Sequence, residues 1–197
     1  MDPLDIISTA IGLVYLFQEY KAIKYLWLTS IIMPAIDIFK YYDHGLYADM
    51  GINVYYLFAA IYGWIIWNYG HKHDQKEGTP LPISHFKKKL LVRCVAIFLV
   101  LFFSISWILI KYTPSTVPWW DSFTTSLSII GLWMLARKYV EQWLIWLFVD
   151  AIYCGLYWYK DLPFTAVLYG IYTIIAVVGY RHWKKMMAEQ CYQNLQI

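Results

Sequence analysis

Seven apolar runs, each closed off by a short polar or turn-forming stretch, divide this chain. They are Leu4–Phe17, Tyr25–Phe39, Tyr47–Tyr69, Leu90–Lys111, Trp119–Ala136, Trp143–Tyr159 and Leu162–Tyr180. The breaks hold Lys21 and Lys24, then Asp43, His44 and Gly45, then the polar stretch around His71–Ser84, then Pro114 and Pro118, then Arg137 and Lys138, then Lys160 and Asp161. A helix needs roughly 17–25 residues to cross the hydrocarbon layer of a bilayer. The pattern therefore predicts seven transmembrane helices, the first two completed by their aromatic and polar flanks.

Composition agrees with that reading. Of 197 residues, 60% are hydrophobic and 15% charged, against about 45–50% and about 25% in ordinary soluble domains. Trp and Tyr are abundant, 11 and 19, and their amphipathic rings suit membrane–water interfaces. No polar block is long enough for a separate soluble domain, so one all-α integral membrane domain is expected. Cys94, Cys154 and Cys191 have no paired spacing, which argues against a disulfide framework or a cysteine metal site. The start has two acids and no basic region, so a cleaved signal peptide is not expected. His71 and His73 lie beside Asp74 in a charged loop, and the five histidines form no metal site. Phosphate-binding, zinc-protease and nucleophile-elbow motifs are missing. A retinal-type lysine is absent from the seventh run. No enzyme, cofactor or metal is expected.

The positions of the charges set an orientation. Lys21, Lys24, Lys72, Lys76, Lys87, Lys88, Lys89, Arg93, Arg137, Lys138, Arg181, Lys184 and Lys185 fall on one side of a seven-span topology, and only Lys40, Lys111 and Lys160 on the other. By the positive-inside rule the N-terminus is outside and the C-terminus cytoplasmic. Phe86 followed by Lys87, Lys88 and Lys89 reads as an anchor on anionic lipid rather than a nucleic-acid site.

An internal repeat emerges when the chain is slid against itself by 116 residues. Without a gap, this pairs Trp27 with Trp143, Leu28 with Leu144, Ala35 with Ala151, Ile36 with Ile152 and Tyr41 with Tyr157. It continues with Leu46 and Leu162, Tyr56 and Tyr172, Ala60 and Ala176, Gly63 and Gly179, Trp67 and Trp183. Four spans separate each pair, so the halves are parallel: a 3+1+3 arrangement. The expected organisation is 1–70 for the first three-helix repeat and 71–117 for a cytoplasmic loop with linker helix 4. The second repeat takes 118–186 and a cytoplasmic tail 187–197. Parallel repeats are a transporter plan, with the substrate site near the midplane between halves that rock against each other.

Candidate substrate contacts follow. Trp64 and Trp67 share a helix face, as do Trp143 and Trp146, with Asp150 one turn further on the same stripe. Such indoles serve either as an interfacial belt or as walls stacking on a flat, cationic ring, a contact worth roughly 0.5–2 kcal/mol. Asp150 lies about halfway along its run. A carboxylate at that depth costs about 2.5–3.5 kcal/mol to insert and marks a functional position or an interhelical hydrogen bond. Asn53 is placed on the face of Trp64, where its amide can bond hydroxyls or a neighbouring helix. Asp49, nearer the end of its run, reads as a helix cap or a group meeting water, and Asp37 as an ion pair with Lys40.

The run Leu46-Tyr47-Ala48-Asp49, the later Tyr62-Gly63-Trp64 with Trp67, and Trp143, Trp146 and Asp150 resemble the PnuC family of vitamin transporters. So do Gly155-Leu156-Tyr157, Ala166 with Leu168 and Tyr169, and Gly179-Tyr180 with Trp183. The resemblance implies a fold similar to the SWEET sugar transporters, a homotrimer, and a multi-pass protein of a bacterial inner membrane surrounded by lipid. It implies facilitated uptake of a vitamin B precursor, chiefly nicotinamide riboside, trapped by a cytoplasmic kinase. Asn53 stands where nicotinamide riboside carriers of this family usually have Gln, which brings in the family's thiamine branch as the alternative substrate. A non-transporting membrane sensor or assembly subunit and a sugar carrier are the competing classes.

Overall fold

The computed structural model describes residues 3–43, 47–70, 81–113, 115–159, 161 and 163–195. Of the positions discussed above, His44, Gly45, Leu46, His71, Lys72, His73, Asp74, Lys76, Pro114, Lys160 and Leu162 lie outside them, as do the side chains of Asp37, Lys40, Tyr41, Tyr47, Ala48 and Asp49. Among the described residues all seven apolar runs form helices: α1 (Pro3–Tyr20), α2 (Leu26–Asp43), α3 (Tyr47–Tyr69), α4 (Leu91–Tyr112), α5 (Pro118–Ala136), α6 (Gln142–Tyr159) and α7 (Pro163–Leu195). A short 3-10 turn, Lys88–Leu90, leads into α4. Pro118 and Pro163 open their helices, where the missing N–H is not needed. Helix α7 continues well beyond the apolar run that ends at Tyr180, so most of the expected tail is helical. The charged extension contains no Gly or Pro to stop it, and Lys185 and Glu189 pair one turn apart at 3.9 Å.

The chain divides into two compact units, Met1–Leu81 and Pro82–Ile197. In the first, α2 packs against α1 and α3; in the second, α5 packs against α4 and α6, and α6 against α7. Each unit has a seam of the same design. In the first, the Trp27 ring lies on Gly63, where a Cβ would collide with the indole, and meets Trp67 edge-on at 5.7 Å. In the second, Trp143 lies on Gly179, where a Cβ would come within 2.7 Å of the ring, and meets Trp183 edge-on at 5.9 Å. Ala60 and Ala176, one turn earlier, are both buried. Small residues let a bulky partner approach the backbone, which is how helices gain packing energy in lipid.

The turns that enter these seams also correspond. Ala22 and Lys138 both have φ 52°. Five backbone hydrogen bonds recur 116 residues apart, among them Ile23 N to Gln18 O at 2.8 Å and Tyr139 N to Met134 O at 3.0 Å.

At one end of the second unit, residues 82–86 are strapped across the α5–α6 turn. Ser84 N donates to Lys138 O and Val140 N donates to Ser84 O, both at 3.0 Å. The Glu141 carboxylate accepts from Phe86 N and pairs with His85 Nδ1, each at 2.7 Å. Gln190 of α7 accepts from Ile83 N at 3.1 Å. Beneath the strap, Phe86 meets Tyr139 edge-on over a core of Ile130 and Met134. Burial here pushes the Lys138 ammonium down to about 8. The outer surface of the unit is apolar: Val92, Val95, Leu99, Phe103 and Ile110 of α4 are exposed, as are Phe164, Val167, Ile171, Ile174 and Val178 of α7. Such continuous apolar stripes suit lipid rather than water. Among the described residues, the helical stretches Lys88–Tyr112 and Pro163–Tyr192 are long and apolar enough to cross a membrane.

Candidate functional site

Each unit carries its own share of the candidate residues. In the first, Asn53 is buried on α3. Trp64 and Trp67, although one turn apart, part company. Trp67 enters the α2–α3 seam at 3% exposure, with Trp27 against it. Trp64 is only half-buried and faces the α1–α2 turn, where the Tyr25 ring lies 6.3 Å away and Lys24 Nζ 6.0 Å from its centroid. Lys24 also donates to Asn68 Oδ1 at 3.2 Å, and Asn68 Nδ2 donates to Trp64 O at 2.8 Å.

In the second unit, Trp143 is 2% exposed and fills the α6–α7 seam. Trp146, half-buried, lies against α5, its ring 3.5 Å from where a Cβ on Gly131 would stand. Asp150 is half-buried one turn further along α6. It is close enough to Tyr153, Tyr169 and Tyr172 to act on all three hydroxyls electrostatically.

The tyrosines are the part of the site that sequence reasoning missed. Tyr153 and Tyr157 of α6 meet Tyr169 of α7 at ring separations of 5.1 and 5.2 Å, the latter pair stacked at 17°. Tyr172 closes on Tyr169 edge-on at 5.7 Å. The Tyr153 hydroxyl shares a hydrogen bond with Thr124 of α5 at 3.1 Å. A signal was available, because Tyr153 and Tyr157 follow Asp150 by three and seven residues on one helix side. With tyrosine so frequent in the chain, interface behaviour absorbed it.

Chemically, this is a carboxylate near three phenols, with a fourth, Tyr157, stacked on Tyr169. Phenol hydroxyls donate or accept, and the ring faces take flat apolar or cationic groups. Among the described residues no group of three or more His, Cys, Asp or Glu side chains gathers as a metal site. Among the described residues the site offers no arranged nucleophile–base pair for covalent chemistry.

Comparison with known proteins places the chain in a family. Residues 2–185 match the family described as Nicotinamide mononucleotide transporter. The chain is 27% identical over 164 residues to the nicotinamide riboside transporter PnuC of Escherichia coli, covering 73% of this chain and 69% of that protein. It is 24% identical over 182 residues to the riboflavin/roseoflavin transporter RibM of Streptomyces davaonensis, covering 91% and 83%. The crystal structure of the Vitamin B3 transporter PnuC superposes with a TM-score of 0.66 at 21% identity, over 91% of this chain and 79% of that one, so the fold is shared. With the family match running through all seven helices, the chain belongs to the nicotinamide mononucleotide transporter family that includes PnuC: it is a multi-pass inner-membrane transporter, not an enzyme.

Proposed function

We propose that this chain carries nicotinamide riboside into the cell by facilitated diffusion, with phosphorylation in the cytoplasm holding the product inside. The observation that carries the reading is Asp150 near Tyr153, Tyr169 and Tyr172, in a cluster that Tyr157 completes by stacking on Tyr169. A carboxylate in an aromatic cluster is costly to bury for packing alone, and it complements a flat pyridinium ring. Asp150 and Trp146 of the second unit, with Asn53 and Trp64 of the first, are the proposed substrate contacts. Trp67 and Trp143, whose faces are taken up by the seams, are proposed as the rigid backing of those walls.

The same reading includes a parallel 3+1+3 repeat of SWEET-like plan, a homotrimer in lipid, an outside N-terminus and a cytoplasmic C-terminus. The duplicated turns and the duplicated Trp–Gly–Trp seams support the repeat. Thiamine is the second substrate reading: Asn53 is one methylene shorter than the Gln usual in nicotinamide riboside carriers, and thiamine too joins a cationic ring to a hydroxyl.

Uptake into proteoliposomes tests this directly. Labelled nicotinamide riboside entering faster than into protein-free vesicles, and outcompeting thiamine and riboflavin, is the expected result. Preferential entry of thiamine moves the assignment to the second reading. Binding without flux for all of them leaves only the sensor class.

A further inference from the structure

Gln142, the first residue of α6, is fully buried, yet among the described residues neither its amide nitrogen nor its amide oxygen has a hydrogen-bond partner. An unpaired buried carboxamide is destabilising relative to an apolar side chain of the same shape. The first unit displays that apolar alternative. Leu26, 116 residues earlier, is equally buried, and its backbone is held alike: Leu26 N donates to Ile23 O at 3.1 Å, Gln142 N to Tyr139 O at 3.2 Å. Neither the turn nor the packing therefore requires an amide at this position.

Its place on α6 supplies the reason for one. At 100° per residue, Gln142, Trp146, Asp150, Tyr153 and Tyr157 fall within an arc of about 80°. The indole N–H of Trp146 is also buried with no hydrogen-bond partner among the described residues. One side of α6 thus carries unsatisfied polar groups at its start and leads, about 12 Å along the axis, to Asp150 and the tyrosine cluster.

We infer that Gln142 is a second binding station on the transport path, recognising a ligand edge that presents one donor and one acceptor side by side, as a primary carboxamide does, with the Trp146 N–H as an adjoining donor. The inference rests on the transport reading above. A carboxylate in place of the carboxamide offers two acceptors and no donor, so the station discriminates between the two.

The test compares wild type with Gln142→Met and Gln142→Asn in proteoliposomes, using labelled nicotinamide riboside and its carboxylate analogue, nicotinic acid riboside. Thermal stability is measured in parallel. Gln142→Met is expected to lower turnover of the carboxamide ligand about tenfold, to bring the preference for carboxamide over carboxylate close to unity, and to leave the melting temperature unchanged or raised. Gln142→Asn, which keeps both polar groups, restores part of the preference. A lowered melting temperature with turnover per folded protein and selectivity intact overturns the station and makes Gln142 a structural residue. A wild type that moves neither ligand overturns the transport reading, and the station with it.

Discussion

The α2–α3 seam and the α6–α7 seam share a packing skeleton but differ where polar chemistry begins. Trp27, Gly63 and Trp67 in one reproduce Trp143, Gly179 and Trp183 in the other, down to near-perpendicular indoles. Yet Leu26 is matched by Gln142, Pro34 by Asp150 and Asn53 by Tyr169. Positions that hold helices together tolerate little change, since any added atom meets a close-packed ring. Positions facing a ligand are free to diverge. The comparison separates two kinds of position: the Trp–Gly–Trp seams are duplicated in both units, whereas the buried amide and the acid of α6 have no polar counterpart in α2.

The sharpest way to break this view is at the glycines. Gly63→Ala puts a methyl into the Trp27 ring, and Gly179→Ala puts one 2.7 Å from Trp143. Overpacking of this kind costs about 3 kcal/mol, so both variants should melt markedly lower in detergent, Gly63→Ala the more so. An unchanged melting temperature for either would remove that seam from the scaffold.

Asp150→Asn comes next. Loss of a charge-assisted contact should weaken binding of a cationic substrate by about tenfold or more, with stability held or raised, whereas a neutral analogue binds as before. Equal losses for charged and neutral ligands would show that the carboxylate only shapes the site.

Glu141 has no acidic counterpart in the first unit; the matching position is Tyr25. Glu141→Ala deletes the acceptor for His85 and for Phe86 N. About 1 kcal/mol of local stability is expected to go, read as faster amide exchange confined to residues 83–86. Exchange that stays slow would transfer the hold on the strap to Ser84 and Gln190.

The smallest effect distinguishes the two turns. Ala22 sits in the left-handed region at φ 52°, where a Cβ costs about 1 kcal/mol. Ala22→Gly should raise stability by up to that amount. Lys138→Gly shares the backbone benefit but loses a buried side chain, so thermal denaturation should show no comparable gain.

Much of this was legible in the chain before folding was considered. The seven helices follow from apolar runs between charges and prolines. The offset of 116 residues already pairs Gly63 with Gly179 and Trp67 with Trp183. Asp150 stands out because a carboxylate in an apolar run has few innocent uses. The four tyrosines did not stand out, and neither did Gln142, which looks like an ordinary polar residue beside Glu141. The indoles were visible as a set, but their division between seam and open face was not. Trp64 and Trp67 occupy one helix side by spacing, and only the neighbours they meet separate them.

Hydropathy and spacing are local properties, so they marked the seven helices, the duplicated Trp and Gly positions and one acid inside an apolar run. Which tyrosines gather near that acid, which tryptophans enter a seam, and which amide is left unpaired depend on residues far apart in the chain. Those outcomes arise when α3 meets α2 and when α6 meets α5 and α7, because burial and hydrogen-bond partners exist only once two helices are in contact.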